Sequence, residues 1–371
     1  MNSPFLFSPE EMRQRLSQVR THLAALALDA VIATDPANVR YLTGFKGEPR
    51  ALIVTPHDFR LVTAFRTLPW AEEQTRPLAG VLELETHPQP AEAISRRLPS
   101  APLTLGIDQS ISARNLAYWR EKLSPHAIDP QPVIEHVRRL KSPTEVALMA
   151  QSQRINEAIL TAVLPQIRPD MTERGVQGLL LAEMAHREDV DAFSFNPIVA
   201  AGANCWEIHH LPDHSVIGKN QILLIDLGVI HQGYASDMTR TICLGRATQH
   251  MRDIHHLVST ALEAALGAAT VGRTNRELDQ VARKVITDAG HGEVFSHGLG
   301  HHIGLETHDP APPLSQGAPE IPLEAGMTLT LEPGVYLQNQ FGVRTEDVVV
   351  LTEDRPINLT RPSHGLLEVM V

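Results

Sequence analysis

Residues Ile222–Val229 form an apolar run broken by a single carboxylate, Asp226, and Tyr234–Thr241 carries a second, Asp237, among small and β-branched residues. Runs of this composition read as buried strands, so any fold must place two carboxylates inside a sheet. Ionised carboxylates side by side in a buried sheet are costly unless cations neutralise them. A turn at His231-Gln232 would pair the two runs as a hairpin and set Asp226 opposite Asp237, roughly 5 Å apart at Cβ. The structural alternative is one carboxylate capping a turn and the other paired with Arg240.

The pattern recurs downstream. Thr330–Gly334 and Gly342–Asp347 read as two more strands, joined by a loop at 337–342 whose centre at Asn339 brings Glu332 and Glu346 together. Between the two pairs lies a stretch rich in glycine and imidazole, from His297 through His301 to His308. Four carboxylates and one histidine can hold two divalent ions about 3.5–4 Å apart, an arrangement suited to hydrolysis. Oxygen-dominated ligation with a single imidazole suits Mn²⁺, Co²⁺, Fe²⁺ or Zn²⁺.

Around these segments the chain of 371 residues is long enough for two domains. Residues 9–28 have helical periodicity, with Ser8 as N-cap, and short β-rich runs follow at 29–33, 51–55 and 61–63. Strands alternating with helical segments predict a small α/β domain over residues 1–135. Ser142-Pro143 starts a long helix to about Leu164. Further helices are expected at 172–187, 251–269 and 275–289, and strands at 195–201, 221–229, 233–244, 327–332 and 343–351. Residues 136–371 therefore read as an α+β domain of antiparallel hairpins with helices on one face.

The ordered set D-x-G, G-Y-x-S-D-x-T-R-T, G-H-x-x-G, E-P-G and R-x-E-D, spread over residues 193–351, resembles the pita-bread metallopeptidases: methionine aminopeptidase, aminopeptidase P and prolidase. The segment from Leu28 to Phe45 resembles the creatinase-like domain that precedes this fold in the proline-directed branch. The resemblance implies a pita-bread catalytic domain behind a creatinase-like domain, and an exopeptidase acting on peptides with proline in second position. It implies that Asp226, Asp237, His301, Glu332 and Glu346 hold the two ions, with Mn²⁺ the first expectation and Zn²⁺ or Co²⁺ the alternatives. Glu332 is then also the general base, His308 a stabiliser of the oxyanion, and His297 a histidine shared by aminopeptidase P and prolidase. His209 matches the substrate-pocket histidine, although Ile208 replaces the usual proline before it and His210 stands beside it. Phe195 and Ile198 fall where the family builds its apolar pocket, and Arg344 belongs to the substrate-binding set. His302 and His231 are expected at the surface.

The N-terminal domain and His297 both separate the chain from methionine aminopeptidase. Prolidases resemble one another in placing an arginine four residues after the histidine matching His308, where a cation can pair with the proline carboxylate. That position is Pro312 here, and no Arg or Lys lies between Asp309 and Val343. The expectation is therefore an Xaa-Pro aminopeptidase, with an Xaa-Pro dipeptidase as the alternative. A non-enzymatic binding module of the same fold is a remote third reading, because all five ligand positions are intact. The net charge of −11 disfavours nucleic acid as a partner. No apolar run is long enough to span a membrane and no signal peptide is read, so a cytoplasmic enzyme is expected. Two cysteines, Cys205 and Cys243, read as buried side chains. A homodimer is what the family resemblance implies.

Overall fold

Ser8 accepts a hydrogen bond from the Glu11 amide, and helix α1 (Pro9–Ala25) begins at the proline behind it. In the computed structural model, which describes residues 6–361 and 364–370, the chain divides into two units, Met1–Arg138 and Arg139–Val371. The first continues through β1 (Ala30–Ala33), α2 (Pro36–Thr43), β2 (Ala51–Val54), β3 (Phe59–Thr63), α3 (Leu68–Gln74) and β4 (Glu83–Thr86). It ends with α4 (Pro90–Ser95), β5 (Thr104–Ile107), α5 (Ala113–Lys122), β6 (Ala127–Pro130) and α6 (Val133–Arg138). The strands make one sheet in the order β4-β3-β2-β1-β5-β6. The expected boundary at 135/136 falls inside α6.

The second unit opens with α7 (Pro143–Val163), which carries a capping box between Ser142 and Glu145. Then come α8 (Glu173–His186), β7 (Ala192–Phe193), β8 (Ile198–Ala201), β9 (Gln221–Leu227), β10 (Val229–His231), β11 (Tyr234–Ala235) and β12 (Met238–Leu244). Helices α9 (Gln249–Ala268) and α10 (Asn275–Asp288) precede β13 (Thr328–Leu331), β14 (Gly334–Leu337), β15 (Phe341–Arg344) and β16 (Asp347–Val350). Short strands β17 (Ile357–Asn358) and β18 (Leu367–Val369) complete it.

The central sheet, β18-β12-β9-β8, has helices on both faces, not one. Leu223, Ile225 and Leu227 pack with buried residues of α7 and α8, whereas Ile222 and Leu224 pack with those of α9 and α10. Strand β9 reads as nearly continuous apolar sequence for this reason: both of its sides are covered. Alternation then puts Asp226 in the row of Ile222 and Leu224, on the α9/α10 side.

The register of the first hairpin differs from the expected one by two residues. Asp226 faces Thr239, and His231 faces Tyr234. The turn is made by Gln232 (φ 49°) and Gly233 (φ 87°), a left-handed pair that matches the twist of a two-residue hairpin and favours glycine. A shift of two conserves facing, so Asp237 remains on the side of Asp226 as its diagonal neighbour. In the second hairpin Gly334 faces Arg344 and Leu331 faces Asp347, which leaves Glu332 and Glu346 opposite one another between the paired segments. The turn is centred on Asn339, at φ 58°. Both cysteines are buried and unpaired. Among the described residues no helix is long and apolar enough to cross a membrane.

Candidate active site

Two pairs of carboxylates and a histidine meet where the two hairpins converge. Donor atoms of Asp237, His301 and Glu346 lie within 4.8 Å of one another. His301 Nε2 is 3.6 Å from Asp237 Oδ2 and 3.8 Å from Glu332 Oε1. The His301 Nδ1 lies 3.1 Å from the His302 carbonyl, a partner that orients the ring with Nε2 toward the carboxylates. The His301 amide donates to Thr330 Oγ1 and the Thr330 amide to the His301 carbonyl, which fixes this loop against β13. Gly300 makes that approach possible: a Cβ there would lie 2.0 Å from the Thr330 carbonyl oxygen.

The electrostatics of the cluster are those of a cation site. Burial raises Asp237 well above the usual carboxylate range, and Asp226 and Glu332 add to it. Burial raises Glu346 in the same way, with Asp237 as the next contributor, and Glu332 is raised chiefly by burial too. Asp226 Oδ1 and Asp237 Oδ1 are buried with no hydrogen-bond donor. Buried acceptors left unpaired among like charges fit an electrophile that completes them, and the residues present fit two divalent ions.

Second partners hold two of these carboxylates, Glu346 and Asp226, in place. Thr239 Oγ1 donates to Glu346 Oε2 at 2.8 Å, and Arg240 donates to the Glu346 carbonyl and to Asp347. Arg344 is 1% exposed. Its Nη2 donates to Asp226 Oδ2 at 2.6 Å, its Nη1 to Tyr336 Oη and the Ile208 carbonyl, and its Nε to Thr239. Arg344 therefore orients Asp226, with four of its five N–H groups engaged inside the protein. The Tyr336 hydroxyl in turn donates to His297 Nε2 at 2.8 Å, while His297 Nδ1 faces the Gly298 carbonyl. Burial and then Arg344 push His297 down to about 4, so its imidazole is neutral and locked in one tautomer. Sequence reasoning missed Tyr336 and Thr239. Tyr336 lies four residues after Glu332 and leads from Arg344 to His297.

Asp226, Asp237 and Arg344 line a cavity of about 1210 Å³. Phe195 and Ile198 form part of its wall, and His209, His297, His301, His308, Glu332 and Glu346 face it. His308 stacks on His301 with ring centroids 3.9 Å apart. His209 and His210 both reach the lining but differ in state. His209 is exposed, whereas His210 is buried between two carboxylates, with Nε2 2.7 Å from Glu173 and Nδ1 2.7 Å from Glu207. Glu173, His210 and Asp213 form another close trio. The Glu173 carboxylate is already saturated there by His210 and by donors from Ala201, Asn204 and Asp213, so the trio pins a loop. His302, expected at the surface, is fully buried with neither ring nitrogen hydrogen-bonded, and burial pushes it down to about 3. His231 is half-buried on the Asp189 carbonyl.

Residues 147–353 match the model of metallopeptidase family M24. The chain belongs to that family. Residues 15–140 match the creatinase/prolidase N-terminal domain. The Xaa-Pro dipeptidase of Lactobacillus delbrueckii subsp. lactis is 33% identical over 355 residues, covering 91% of this chain and 94% of that one. An Xaa-Pro dipeptidase from Bacillus anthracis superposes with a TM-score of 0.89 at 26% identity, covering 97% of this chain and 100% of that one. An X-Pro aminopeptidase from Thermotoga maritima MSB8 gives 0.84 at 26% identity, covering 95% and 100%. The chain is thus an M24 metallopeptidase with a creatinase-type N-terminal domain and a pita-bread catalytic domain, and the family works through a dinuclear metal centre.

Proposed function

We propose that this M24 enzyme is a dinuclear Xaa-Pro dipeptidase, with Asp226, Asp237, His301, Glu332 and Glu346 as metal ligands and Mn²⁺ as the working ion. The observation that carries the metal assignment is the buried, donor-poor carboxylate cluster around His301 Nε2. The likeness to dipeptidases over nine-tenths of the chain moves the substrate reading away from the aminopeptidase expected from sequence.

Two divalent ions bound there supply Lewis-acid polarisation of the scissile carbonyl and a nucleophile at neutral pH. The protein's own residues do the rest. Glu332 faces the cavity and takes the proton from the attacking water, then delivers it to the proline nitrogen, which must be protonated to leave. His308, exposed to the cavity and stacked on His301, donates to the oxyanion that develops. Phe195 and Ile198 receive the first side chain, and the substrate amine anchors beside Asp226. Arg344 holds Asp226 in place, and the Arg344-Tyr336-His297 chain fixes a neutral imidazole on the cavity wall. His209 faces the proline side.

The aminopeptidase reading retains one specific observation, the absence of a cation at Pro312. The two separate on one assay: metal-stripped enzyme reloaded with Mn²⁺ and offered Ala-Pro and Ala-Pro-Ala. Preferential release of proline from the dipeptide is expected. Turnover mainly of the tripeptide would return the assignment to an aminopeptidase. A second copy of the chain as partner, and a cytoplasmic setting, are part of the same proposal.

A further inference from the structure

A dipeptidase must recognise the carboxylate at the far end of its substrate, and the loop after His308 has no cation for this, since no Arg or Lys lies between Asp309 and Val343. The cavity offers another cation. Two arginines and no lysine line it, Arg174 and Arg344. Arg344 is 1% exposed and held by Asp226, Tyr336, Thr239 and Ile208, so its charge is already committed to Asp226. Arg174 is exposed, and among the described residues its guanidinium has neither a hydrogen bond nor an ion pair.

Its position is set by the fold. Arg174 is the second residue of α8, and Gln177 and Leu181 continue the same helical stripe along the cavity wall. Its backbone amide donates to the Asp213 carbonyl at 3.0 Å, and the adjacent Glu173 clamps His210 at 2.7 Å. These two contacts bind the start of α8 to the loop that carries His209. Arg174 and His209 therefore belong to one wall of the cavity. A dipeptide whose amine is held at Asp226 carries its carboxylate at the opposite end, where a cation of the same cavity would have to meet it, and Arg174 is the exposed cation in that lining.

We propose that Arg174 is the carboxylate-recognising residue of this enzyme, replacing the missing loop arginine from a different element, with His209 as its neighbour at the same end of the substrate. This rests on the dipeptidase reading. A guanidinium suits the task because it offers paired donors in a fixed fork that matches a carboxylate, and its charge does not depend on pH.

The test uses the Mn²⁺-loaded full chain, as wild type, Arg174→Met and Arg174→Lys. Each is assayed on Ala-Pro, on Ala-prolinamide, which lacks the carboxylate, and on Ala-Pro-Ala. The inhibition constant of free L-proline is measured alongside. Charge-assisted hydrogen bonds of this kind correspond to roughly 10- to 100-fold in affinity. In Arg174→Met the ratio of kcat/KM for Ala-Pro to that for Ala-prolinamide should fall by about that factor, mostly through KM. The inhibition constant of L-proline should rise in parallel, and Arg174→Lys should recover part of both. Wild type that prefers Ala-Pro, with the ratio unchanged in Arg174→Met, overturns the role of Arg174 and leaves the dipeptidase reading standing. An equal loss on Ala-Pro and Ala-prolinamide overturns it as well. Wild type that prefers Ala-Pro-Ala removes the dipeptidase reading and the proposal with it.

Discussion

Replacing Lys141 with Met should destabilise the catalytic unit more than any surface change, although Lys141 touches no proposed ligand. Lys141 Nζ lies 2.7 Å from Asp309 Oδ2, and the two side chains are only 1% and 4% exposed. Breaking a buried ion pair from one side costs about 3–5 kcal/mol, because the remaining charge is left in a low-dielectric site without its counterion. Against a stability of about 5–15 kcal/mol that is a large fraction of the total. Asp309 also accepts the Glu306 amide and donates its own amide to the His302 carbonyl, so the loop carrying His301 and His308 is built around it. The double variant Lys141→Met/Asp309→Asn removes both charges and keeps an acceptor for Glu306. It should recover at least about 1 kcal/mol of the loss, as expected for residues in one network. Urea unfolding of metal-free protein, followed by fluorescence and by hydrogen exchange of the 301–309 amides, measures both terms. A Lys141→Met protein within 1 kcal/mol of wild type, or a double variant no better than the single one, would refute the reasoning.

Three other outcomes follow from the same geometry. His308→Ala should lower kcat by about 10²–10³ with little change in KM, the signature of an oxyanion donor, and steady-state kinetics showing a pure KM effect would contradict that role. Gly300→Ala should abolish metal binding or folding, since its methyl group would meet the Thr330 carbonyl; a calorimetric titration giving normal Mn²⁺ affinity would count against the loop's close packing. His255 is 4% exposed, and burial holds it down to about 4 from an ordinary 6.5. The unfolded chain therefore binds the extra proton first, so this contribution is complete above pH 6.5 and lost as pH falls toward 4. The loss approaches roughly 3 kcal/mol, and His255→Asn should flatten the acid limb of a stability-versus-pH curve, whereas an unchanged slope would rule this histidine out as its source.

Much of both units could be read from local sequence because the information is local. The helices after Ser8 and Ser142 begin with a side-chain cap and a proline, and those signals act within a few residues. The second hairpin was legible because Asn339 sits at its centre, and the pairing of Glu332 with Glu346 follows from it. The first hairpin was displaced because the turn is decided by which residues accept positive φ, and Gly233 rather than His231 does so. Asp237 kept its place only because a shift of two residues returns the same face of a strand. What sequence could not reach are contacts between distant segments. Lys141 and Asp309 lie 168 residues apart, and Arg344 reaches Asp226 across 118. His302 looked like a loop residue beside a ligand, yet its backbone bridges to Leu329 and its side chain is fully buried. The choice between dipeptide and longer substrates turned on one absent arginine, an absence that a cation from α8 can offset.

The most direct test of the central claim is a calorimetric titration of Mn²⁺ into metal-stripped protein, in parallel with Asp237→Asn and Glu346→Gln. Two ions should bind per chain in the wild type, releasing protons from the carboxylates whose pKa values burial has raised. Both substitutions should eliminate at least one of those ions together with activity. A wild-type chain that binds no Mn²⁺, or one whose binding is unaffected by either substitution, would contradict the assignment of this cluster as the metal centre.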